Sequence, residues 1–299
     1  MDSATFRDKL FDAGVLIPTG IDGLYGRSGT FEDVVLALGN LVTRVSADNA
    51  WTRVRFPPLL SRKAFEGTDY LKSFPNLTGS VHTFMGDDRK HAELLALVDA
   101  GADWSPALEP AEVVLSSAAC HSLYPTLTGT LAADTVRYDL SGYCFRHEPS
   151  IDPARMQSFR MHELVVLGDT DTTHAHREDW VQRGLDVMAS LELPAEAVVA
   201  NDPFFGRAGR ILAAGQREEA LKIEIVTAAS TEQLTTAVIS CNEHKDHFGV
   251  AFDISTRDGG VAQSACVGFG LERLTLALLR AHGFDVADWP SGVRATLWP

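Results

Sequence analysis

The chain has 299 residues, of which 45% are hydrophobic and 22% charged, and its formal net charge is −14 at pH 7. This composition is typical of a globular protein with a substantial core, and the acidity disfavours broad nucleic-acid binding, which needs Lys and Arg to neutralise phosphates. No apolar run approaches the roughly 20 residues of a membrane span, and the N-terminus MDSATFRDKL lacks a signal peptide's basic start and apolar stretch. We therefore expect a cytoplasmic protein.

Apolar periodicity and turn residues predict helices and strands in alternation along the chain. Helices are predicted over residues 4–13, 30–45, 91–100, 172–191, 205–220 and 271–280. Strands are predicted over residues 51–56, 81–84, 113–119, 137–145, 164–167, 195–200, 221–226, 235–242 and 250–254. Thr30 is the predicted N-cap of the second helix. The strands of the second half are antiparallel by their hairpins and have helices clustered around them, which indicates an α+β fold.

A long hairpin is predicted over Tyr143–Gly168. Apolar-aromatic runs at its two ends flank a polar loop that holds Pro149, Asp152 and Pro153. Its arms carry several arginines, and guanidinium groups on a rigid ribbon suit a phosphate-bearing ligand. The alternative is a hairpin with ordinary surface salt bridges. The arginines and their acidic neighbours are Arg146, Glu148, Arg155, Arg160 and Glu163.

A second motif, Gly-Phe-Gly-Leu-Glu-Arg at residues 268–273, joins a predicted strand to a helix N-terminus, where free N–H groups favour anions. Phe-Arg-His-Glu at 145–148, followed by this motif, resembles motifs 2 and 3 of class II aminoacyl-tRNA synthetases. A long helix, a strand at 51–56 and then Pro57-Pro58 resembles motif 1, the dimer element of that class. The resemblance implies an antiparallel sheet flanked by helices, binding of ATP with Mg²⁺, and a homodimer.

Cysteine and glutamate offer a candidate metal site. Cys120, Glu163 and Cys266 lie on three separated elements, and two thiolates with a carboxylate suit Zn²⁺ with one open position. The alternative is that all four cysteines, which include Cys144 and Cys241, are small buried hydrophobic residues. Spacing alone leaves both readings open because the chain has no Cys-x-x-Cys pair.

Arg-Met-His-Glu-Leu at residues 160–164 resembles the return strand of the seryl enzymes, with Glu163 where those enzymes usually have glutamine. One cysteine before the hairpin and another before motif 3 resemble an atypical, zinc-dependent branch of the seryl enzymes. In that branch Cys, Glu and Cys bind the metal, which holds the α-amino group of the substrate. The resemblance therefore implies zinc on Cys120, Glu163 and Cys266.

Only about 50 residues precede the segment that resembles motif 1, too few for a tRNA-binding domain. Truncated zinc-dependent relatives of this kind are the amino acid:[carrier protein] ligases, which the chain resembles. They activate glycine or alanine with ATP and transfer it to the phosphopantetheine thiol of a carrier protein; Thr78-Gly79 and residues 201–207 add to the match. We expect one catalytic domain over 1–299 that does not act on tRNA, with N-terminal helices at 1–50, a core at 51–283 and a tail at 284–299.

The resemblance implies roles for individual residues. Arg146 would hold the α-phosphate and the amino-acid carboxylate, Glu148 the adenine amino group, Arg155 the outer phosphates, and Arg273 the γ-phosphate. Arg146, Glu163 and Arg273 are the expected catalytic residues. Further cofactor contacts are expected from Met156, Phe159, Glu224 and Ser240, and substrate contacts from Thr78, Arg146, Glu163, Asp202 and Cys266. Glu224 and Ser240 have an alternative reading as ordinary polar residues of strands.

The seryl enzymes' Thr-x-Glu near the amino acid is absent; residues 117–120 read Ser-Ala-Ala-Cys, so serine is not the expected substrate. A carrier protein is acidic, and the predicted helix 205–222 would offer a basic stripe of Arg207, Arg210 and Arg217 for docking. These arginines have an alternative as solvated residues or local partners of Glu218 and Glu219. Two other functions remain: a tRNA synthetase that borrows its tRNA grip from a partner chain, and a non-catalytic paralogue.

Overall fold

A computed structural model describes residues 2–200, 220–233 and 235–299 of the chain. The α-helices are α1 (Ser3–Asp12), α2 (Gly29–Val45), α3 (Arg62–Gly67), α4 (Tyr70–Ser73), α5 (Asp88–Asp99), α6 (Thr170–Ser190), α7 (His247–Ala251), α8 (Leu271–His282) and α9 (Ser291–Leu297). The strands are β1 (Leu16–Ile21), β2 (Leu24–Arg27), β3 (Thr52–Val54), β4 (Leu59–Ser61), β5 (Ser80–Thr83), β6 (Glu109–Leu115), β7 (Gly129–Thr130), β8 (Val136–Phe145), β9 (Ser158–Gly168), β10 (Glu196–Val199), β11 (Lys222–Thr227), β12 (Thr236–Lys245), β13 (Ile254–Ser255) and β14 (Gln263–Gly270).

The largest sheet joins seven of these strands in the order β10-β11-β12-β14-β9-β8-β3. Neighbouring strands in it are antiparallel except β3 and β8, which run parallel. Smaller sheets pair β1 with β2, β7 with β13, and β4 and β5 with β6. The α+β class and the antiparallel sheet flanked by helices, which the sequence predicts, are confirmed.

The predicted long hairpin consists of β8 and β9, which pair from Val136 opposite Leu167 to Phe145 opposite Ser158. Because side chains alternate along a strand, β9 presents two faces. Its odd-numbered residues Phe159, Met161 and Glu163 face a cavity, whereas even-numbered residues such as Leu164 pack toward the helices. The hairpin loop is tied to the β1–β2 turn, since the Gln157 amide donates to the Gly23 carbonyl at 2.8 Å.

Two hydrophobic clusters hold the sheet from its two sides. On the helix side, α2, α6 and α8 cover the sheet with a large buried cluster that includes Leu38, Trp180, Phe269 and Leu274. The cluster on the opposite side is smaller and includes Tyr124, Val165, Phe248 and Cys266. The cavity described below lies on this second side, so the core positions the strands and leaves one face open.

Two element boundaries differ from the prediction around functional positions. Helix α2 is capped by Ser28, whose Oγ accepts from the Phe31 amide at 3.2 Å, and not by Thr30, which lies inside the helix. The strand predicted over 113–119 ends at Leu115, and a 3-10 turn at Ala119–Ser122 then carries Cys120. A strand alone would not bring the sulfur of Cys120 to the hairpin; the turn does.

The strand predicted over 250–254 is wrong, because the chain forms the short helix α7 there and resumes as β13 only at Ile254. Close packing explains the tight turn: a Cβ on Gly249 would lie 2.2 Å from the Ala262 carbonyl oxygen. The C-terminal segment, predicted as a tail over 284–299, includes the helix α9 and packs on the core through its buried apolar residues Trp289, Val293 and Leu297.

The predicted helix over 205–220, with Arg207, Arg210 and Arg217, lies outside the described residues apart from its last position, and so does Asp202. In the part of the chain that is described, no helix combines the length and the apolar character needed to cross a lipid bilayer.

Candidate active site

A cavity of about 700 Å³ opens on the face of the sheet opposite α2, and the first turn of α8 contributes to its wall. Three neighbouring strands contribute alternate side chains to its wall, as the two-residue period of a strand requires. These residues are Phe159, Met161 and Glu163 on β9, Cys266, Gly268 and Gly270 on β14, and Ser240, Asn242 and His244 on β12.

Gly268 keeps the floor of the cavity open. It lies opposite Glu163 in the β9–β14 pairing, and a Cβ there would lie 2.9 Å from Cε of Met161. Any larger residue would push the Met161 side chain or fill the space beside the Glu163 carboxylate. The strand's small residues therefore serve the site as well as the sheet.

The three predicted metal ligands meet in this cavity. Cys120, Glu163 and Cys266 are buried, and their ligand atoms all lie within 4.8 Å of one another. The Ala119 amide donates to Oε1 of Glu163 at 2.8 Å, which fixes the carboxylate against the 3-10 turn. Its other oxygen, Oε2, is buried without a hydrogen-bond partner among the residues that the structure describes.

The electrostatics of this cysteine–glutamate cluster favour a bound cation. Burial raises the pKa of Glu163 to about 7, and the charge of Cys266 acts in the same direction. The hydrogen bond between the two sulfurs raises the pKa of Cys120 and lowers that of Cys266. Ionising three acidic groups that are buried side by side costs free energy, because the negative charges repel one another. A bound cation would remove that cost.

Cys144 and Cys241 fit the alternative prediction, that the cysteines are small buried hydrophobic residues. Each packs in a hydrophobic cluster away from the cavity wall. Burial raises the pKa of Cys144, and it raises that of Cys241 to about 12. These two are thiols at neutral pH with a packing role.

Arg146 and Arg273 supply positive charge to the same cavity. Arg273, in the first turn of α8, donates to the carbonyls of Ala154 and Ala237 at 2.8 and 3.0 Å. Burial, together with the charges of Arg146 and Arg155, lowers its pKa to about 10. Arg146 donates to the Ser117 carbonyl at 3.2 Å and stacks 5.4 Å from the Phe159 ring centre. Guanidinium groups that repel one another in a cavity form a site for an anion.

The other predicted site residues divide by position. Met156, Phe159, Glu224 and Ser240 line the cavity. Glu148 and Arg155 form an ion pair with each other at 2.5 Å and are outside the cavity lining, as is Thr78, whose hydroxyl donates to the Phe74 carbonyl at 3.3 Å. Their proposed contacts with nucleotide and substrate stay predictions.

Arg160 does not face the ligand cavity, in contrast to the expectation for the hairpin arginines. It lies on the other face of β9, where it binds Glu32 with two nitrogens at 2.6 and 2.8 Å. Its Nε donates to Glu272 at 2.7 Å, and its amide to the same carboxylate at 2.6 Å. For this residue the salt-bridge reading is the right one.

Sequence reasoning missed several cavity residues, among them Met161, His244 and Phe248. The signal was present for His244, because it continues the alternation of Ser240 and Asn242 along the strand. The Nδ2 of Asn242 and the Nε2 of His244 each lie 3.5 Å from Sγ of Cys266.

Two relatives decide the family. The chain is 41% identical over 292 residues to amino acid–[acyl-carrier-protein] ligase 2 of Bradyrhizobium diazoefficiens, an alignment that covers 97% of this chain and 87% of that relative. Ligase 1 of the same organism is 40% identical over 293 residues, with 97% and 88% covered. The chain belongs to this ligase family. The predicted family and enzyme class are thereby confirmed.

More distant relatives of the ligase are tRNA synthetases. The type-2 serine–tRNA ligase of Methanopyrus kandleri is 28% identical over 195 residues, which are 60% of this chain and 37% of that relative. No protein-family model matches the chain.

Solved structures confirm the fold of the ligase. The M. kandleri seryl-tRNA synthetase, solved in complex with A. aeolicus tRNASec, superposes with a TM-score of 0.84 at 21% identity over 98% of this chain. The Pyrococcus horikoshii enzyme, solved with ATP, gives a TM-score of 0.69 at 15% identity over 93% of this chain. The ligase spans 60% and 58% of those two chains.

Proposed function

We propose that this ligase activates a small amino acid, glycine or alanine, with ATP and transfers it to the phosphopantetheine thiol of a carrier protein. The observation that carries the proposal is the meeting of two charge sets in one cavity: the buried cysteine–glutamate cluster, and the arginines Arg146 and Arg273. The first set suits an amino acid's ammonium end through a metal, and the second suits phosphate and carboxylate.

The cluster fits Zn²⁺ by its chemistry. Two sulfurs and one carboxylate oxygen are ligands that zinc prefers, and three protein ligands are what catalytic zinc sites have. The Glu163 oxygen without a described partner supports the same assignment. Cys120, Glu163 and Cys266 would hold the metal, which would supply an open coordination position for the α-amino group of the substrate.

Adenylation needs positioning and charge neutralisation more than proton transfer. A carboxylate oxygen of the amino acid attacks the α-phosphorus of ATP, a new P–O bond forms, and pyrophosphate leaves. Arg146 would neutralise the carboxylate and the α-phosphate, and Arg273 would hold the γ-phosphate. Met156 and Phe159 would pack on the nucleotide, Glu224 and Ser240 would hold it with Mg²⁺, and Thr78 and Asp202 would contact the substrate.

Transfer follows from the same bound adenylate. The pantetheine sulfur attacks the carbonyl carbon, a C–S bond forms, the C–O bond to AMP breaks, and the thiol proton is released. Thr68, Tyr70 and Phe74 also line the cavity beyond the cluster, and the arm would reach the adenylate along these residues.

Small side chains are favoured by the wall around the cluster. The Met161 methyl group covers Gly268 directly opposite Glu163, and Ala118, from the stretch 117–120 that stands in place of the seryl enzymes' Thr-x-Glu, lines the cavity. A pocket of this kind separates glycine from alanine weakly, because one methylene is worth only about 1–3 kcal/mol.

The assembly belongs to the proposal as well. A homodimer would form through α2 and β3, the elements that resemble motif 1, and each subunit would carry its own cavity. We expect tRNA not to be a substrate, because the chain is strongly acidic.

The test is ATP–pyrophosphate exchange with each amino acid, followed by transfer to a phosphopantetheinylated carrier protein and, in parallel, to total tRNA. Glycine and alanine should support exchange, the carrier protein should be loaded, and tRNA should not. Cys266→Ser should abolish exchange, whereas Cys241→Ala, a matched change at a buried cysteine away from the cavity, should retain it. Strong exchange with serine or a bulky amino acid, or charging of tRNA, would contradict the proposal.

A further inference from the structure

His244 lies beside the cysteine–glutamate cluster without belonging to it. It is on β12, two residues from Asn242, and Asn242 pairs with Cys266 across the β12–β14 ladder. Its Nε2 is 3.5 Å from Sγ of Cys266, within reach of a hydrogen bond to sulfur. The other ring nitrogen, Nδ1, is 3.1 Å from Oγ of Ser264 and 3.5 Å from the Tyr124 hydroxyl.

The ring is held in this orientation by its neighbours. The Phe248 ring meets it edge to face at a centroid distance of 5.0 Å, and Phe248 is itself stacked on Tyr124 at 3.8 Å. Ser264 and Tyr124 are fully buried. These contacts restrict rotation of the half-buried ring, so its two nitrogens keep distinct partners.

The partners assign the tautomer. A cysteine sulfur that serves as a metal ligand is a thiolate, which accepts hydrogen bonds and donates none. Nε2 of His244 must therefore carry the proton that points at Cys266, and Nδ1 lies within hydrogen-bond distance of the Ser264 hydroxyl. Outer-shell donors of this kind orient a ligand and tune its hold on the metal.

We infer that His244, oriented by Ser264, is a positioning residue that holds Cys266 as a thiolate ligand by donating a hydrogen bond from Nε2 to its sulfur. The inference rests on the proposed zinc site. It adds a hydrogen-bonded pair, His244 and Ser264, behind the ligand Cys266. Asn242 supplies a second donor to the same sulfur at 3.5 Å. Cys266 thus has two outer-shell partners.

Zinc affinity, measured by competition with a chromophoric chelator, is the test, together with the thiolate-to-metal absorption band of the Co²⁺-substituted protein. His244→Ala should weaken zinc about 10–100-fold and shift the cobalt band. His244→Gln, whose amide nitrogen reaches the place of Nε2, should recover most of the affinity and the band position. Ser264→Ala should give a smaller loss, since the ring remains but its orienting donor is gone.

His247→Ala is the matched control. His247 lines the same cavity, but its Nε2 lies 3.3 Å from the Thr68 carbonyl rather than near a sulfur, so zinc affinity should stay at the wild-type value. Wild-type affinity and an unshifted cobalt band in His244→Ala would overturn the inference while leaving the zinc site intact. A wild-type protein that binds no zinc would overturn the proposed metal site and this inference with it. Circular dichroism of each variant separates loss of fold from loss of metal. A folded His244→Gln variant that does not recover zinc affinity would also contradict the inference.

Discussion

The two faces of strand β9 hold buried charges in opposite ways. On the helix face, Arg160 lies between Glu32 and Glu272, and Arg27 lies 3.6 Å from the same Glu272 carboxylate, so two guanidinium groups meet two carboxylates. On the cavity face, three residues along the strand, Glu163 shares its site with two cysteines.

The charges on the two faces have different roles, one in stability and the other in activity. A charge that finds its partner inside the protein ties elements together, and here it joins α2, β9 and α8. A group buried without such a partner costs free energy unless a ligand completes it. We therefore expect changes on the helix face to reduce stability and changes on the cavity face to reduce activity.

The largest effect is expected from Arg160→Ala. It leaves Glu272, which is 1% exposed, without its main partner, and removing one member of a buried ion pair costs about 3–5 kcal/mol. Urea unfolding of the variant should show this loss. Arg257→Ala is the control, because that side chain is 61% exposed and 3.9 Å from Asp134, and its cost should stay within about 0.5 kcal/mol. An Arg160→Ala variant as stable as the wild type would contradict the stabilising role of the ion pairs on the helix face.

Arg273→Ala should act on activity instead. Loss of one phosphate donor should lower ATP–pyrophosphate exchange on the order of 10²–10³-fold. Arg280→Ala removes a guanidinium from the same helix, where it donates to the Ala228 carbonyl at 2.8 Å, and should leave exchange near normal. Near-normal exchange in Arg273→Ala, with the fold preserved, would show that the arginine does not serve the nucleotide.

A smaller, pH-dependent effect is expected at Asp139, again on the helix face, where it pairs with His162 at 2.9 Å and Arg55 at 3.1 Å. Burial opposes its ionisation, but the hydrogen bonds and charges of these partners outweigh burial and lower its pKa to about 2. A depressed pKa contributes stability above the unfolded-state pKa of about 4, and this is lost as pH falls toward 2. The difference in unfolding free energy between wild type and Asp139→Asn should shrink over that range; a constant difference would contradict the assignment.

Much of this arrangement was predictable from the sequence. The hairpin and the strand–helix junction were predicted from the motifs Phe-Arg-His-Glu and Gly-Phe-Gly-Leu-Glu-Arg. Their arginines, Arg146 and Arg273, line the cavity as expected. The meeting of Cys120, Glu163 and Cys266 was also expected, on resemblance more than on spacing. The family resemblance therefore carried more of the site than local patterns did.

What failed depended on register and packing. Arg160 and Glu163 both looked like ligand residues, and only the strand's alternation against its neighbours puts them on opposite faces. The apolar residues Trp289, Val293 and Leu297 sit at helical spacing, yet a short segment of this kind shows its role only when its partners are known. His244 was assigned no role because a single histidine gives no sign of which strand pairs beside it.

The central claim is that the cysteine–glutamate cluster serves aminoacyl transfer, whereas the ion pairs behind it serve the fold. The same type of substitution tests it on both faces of β9. Glu163→Gln on the cavity face and Glu32→Gln on the helix face each replace a carboxylate by an amide of the same shape. Intact-mass spectrometry of a phosphopantetheinylated carrier protein, incubated with ATP and glycine or alanine, measures loading directly. We expect wild type and Glu32→Gln to load the carrier at similar rates and Glu163→Gln to fall by at least the 10–100-fold typical of a disturbed metal site. Wild-type loading by Glu163→Gln would contradict the account.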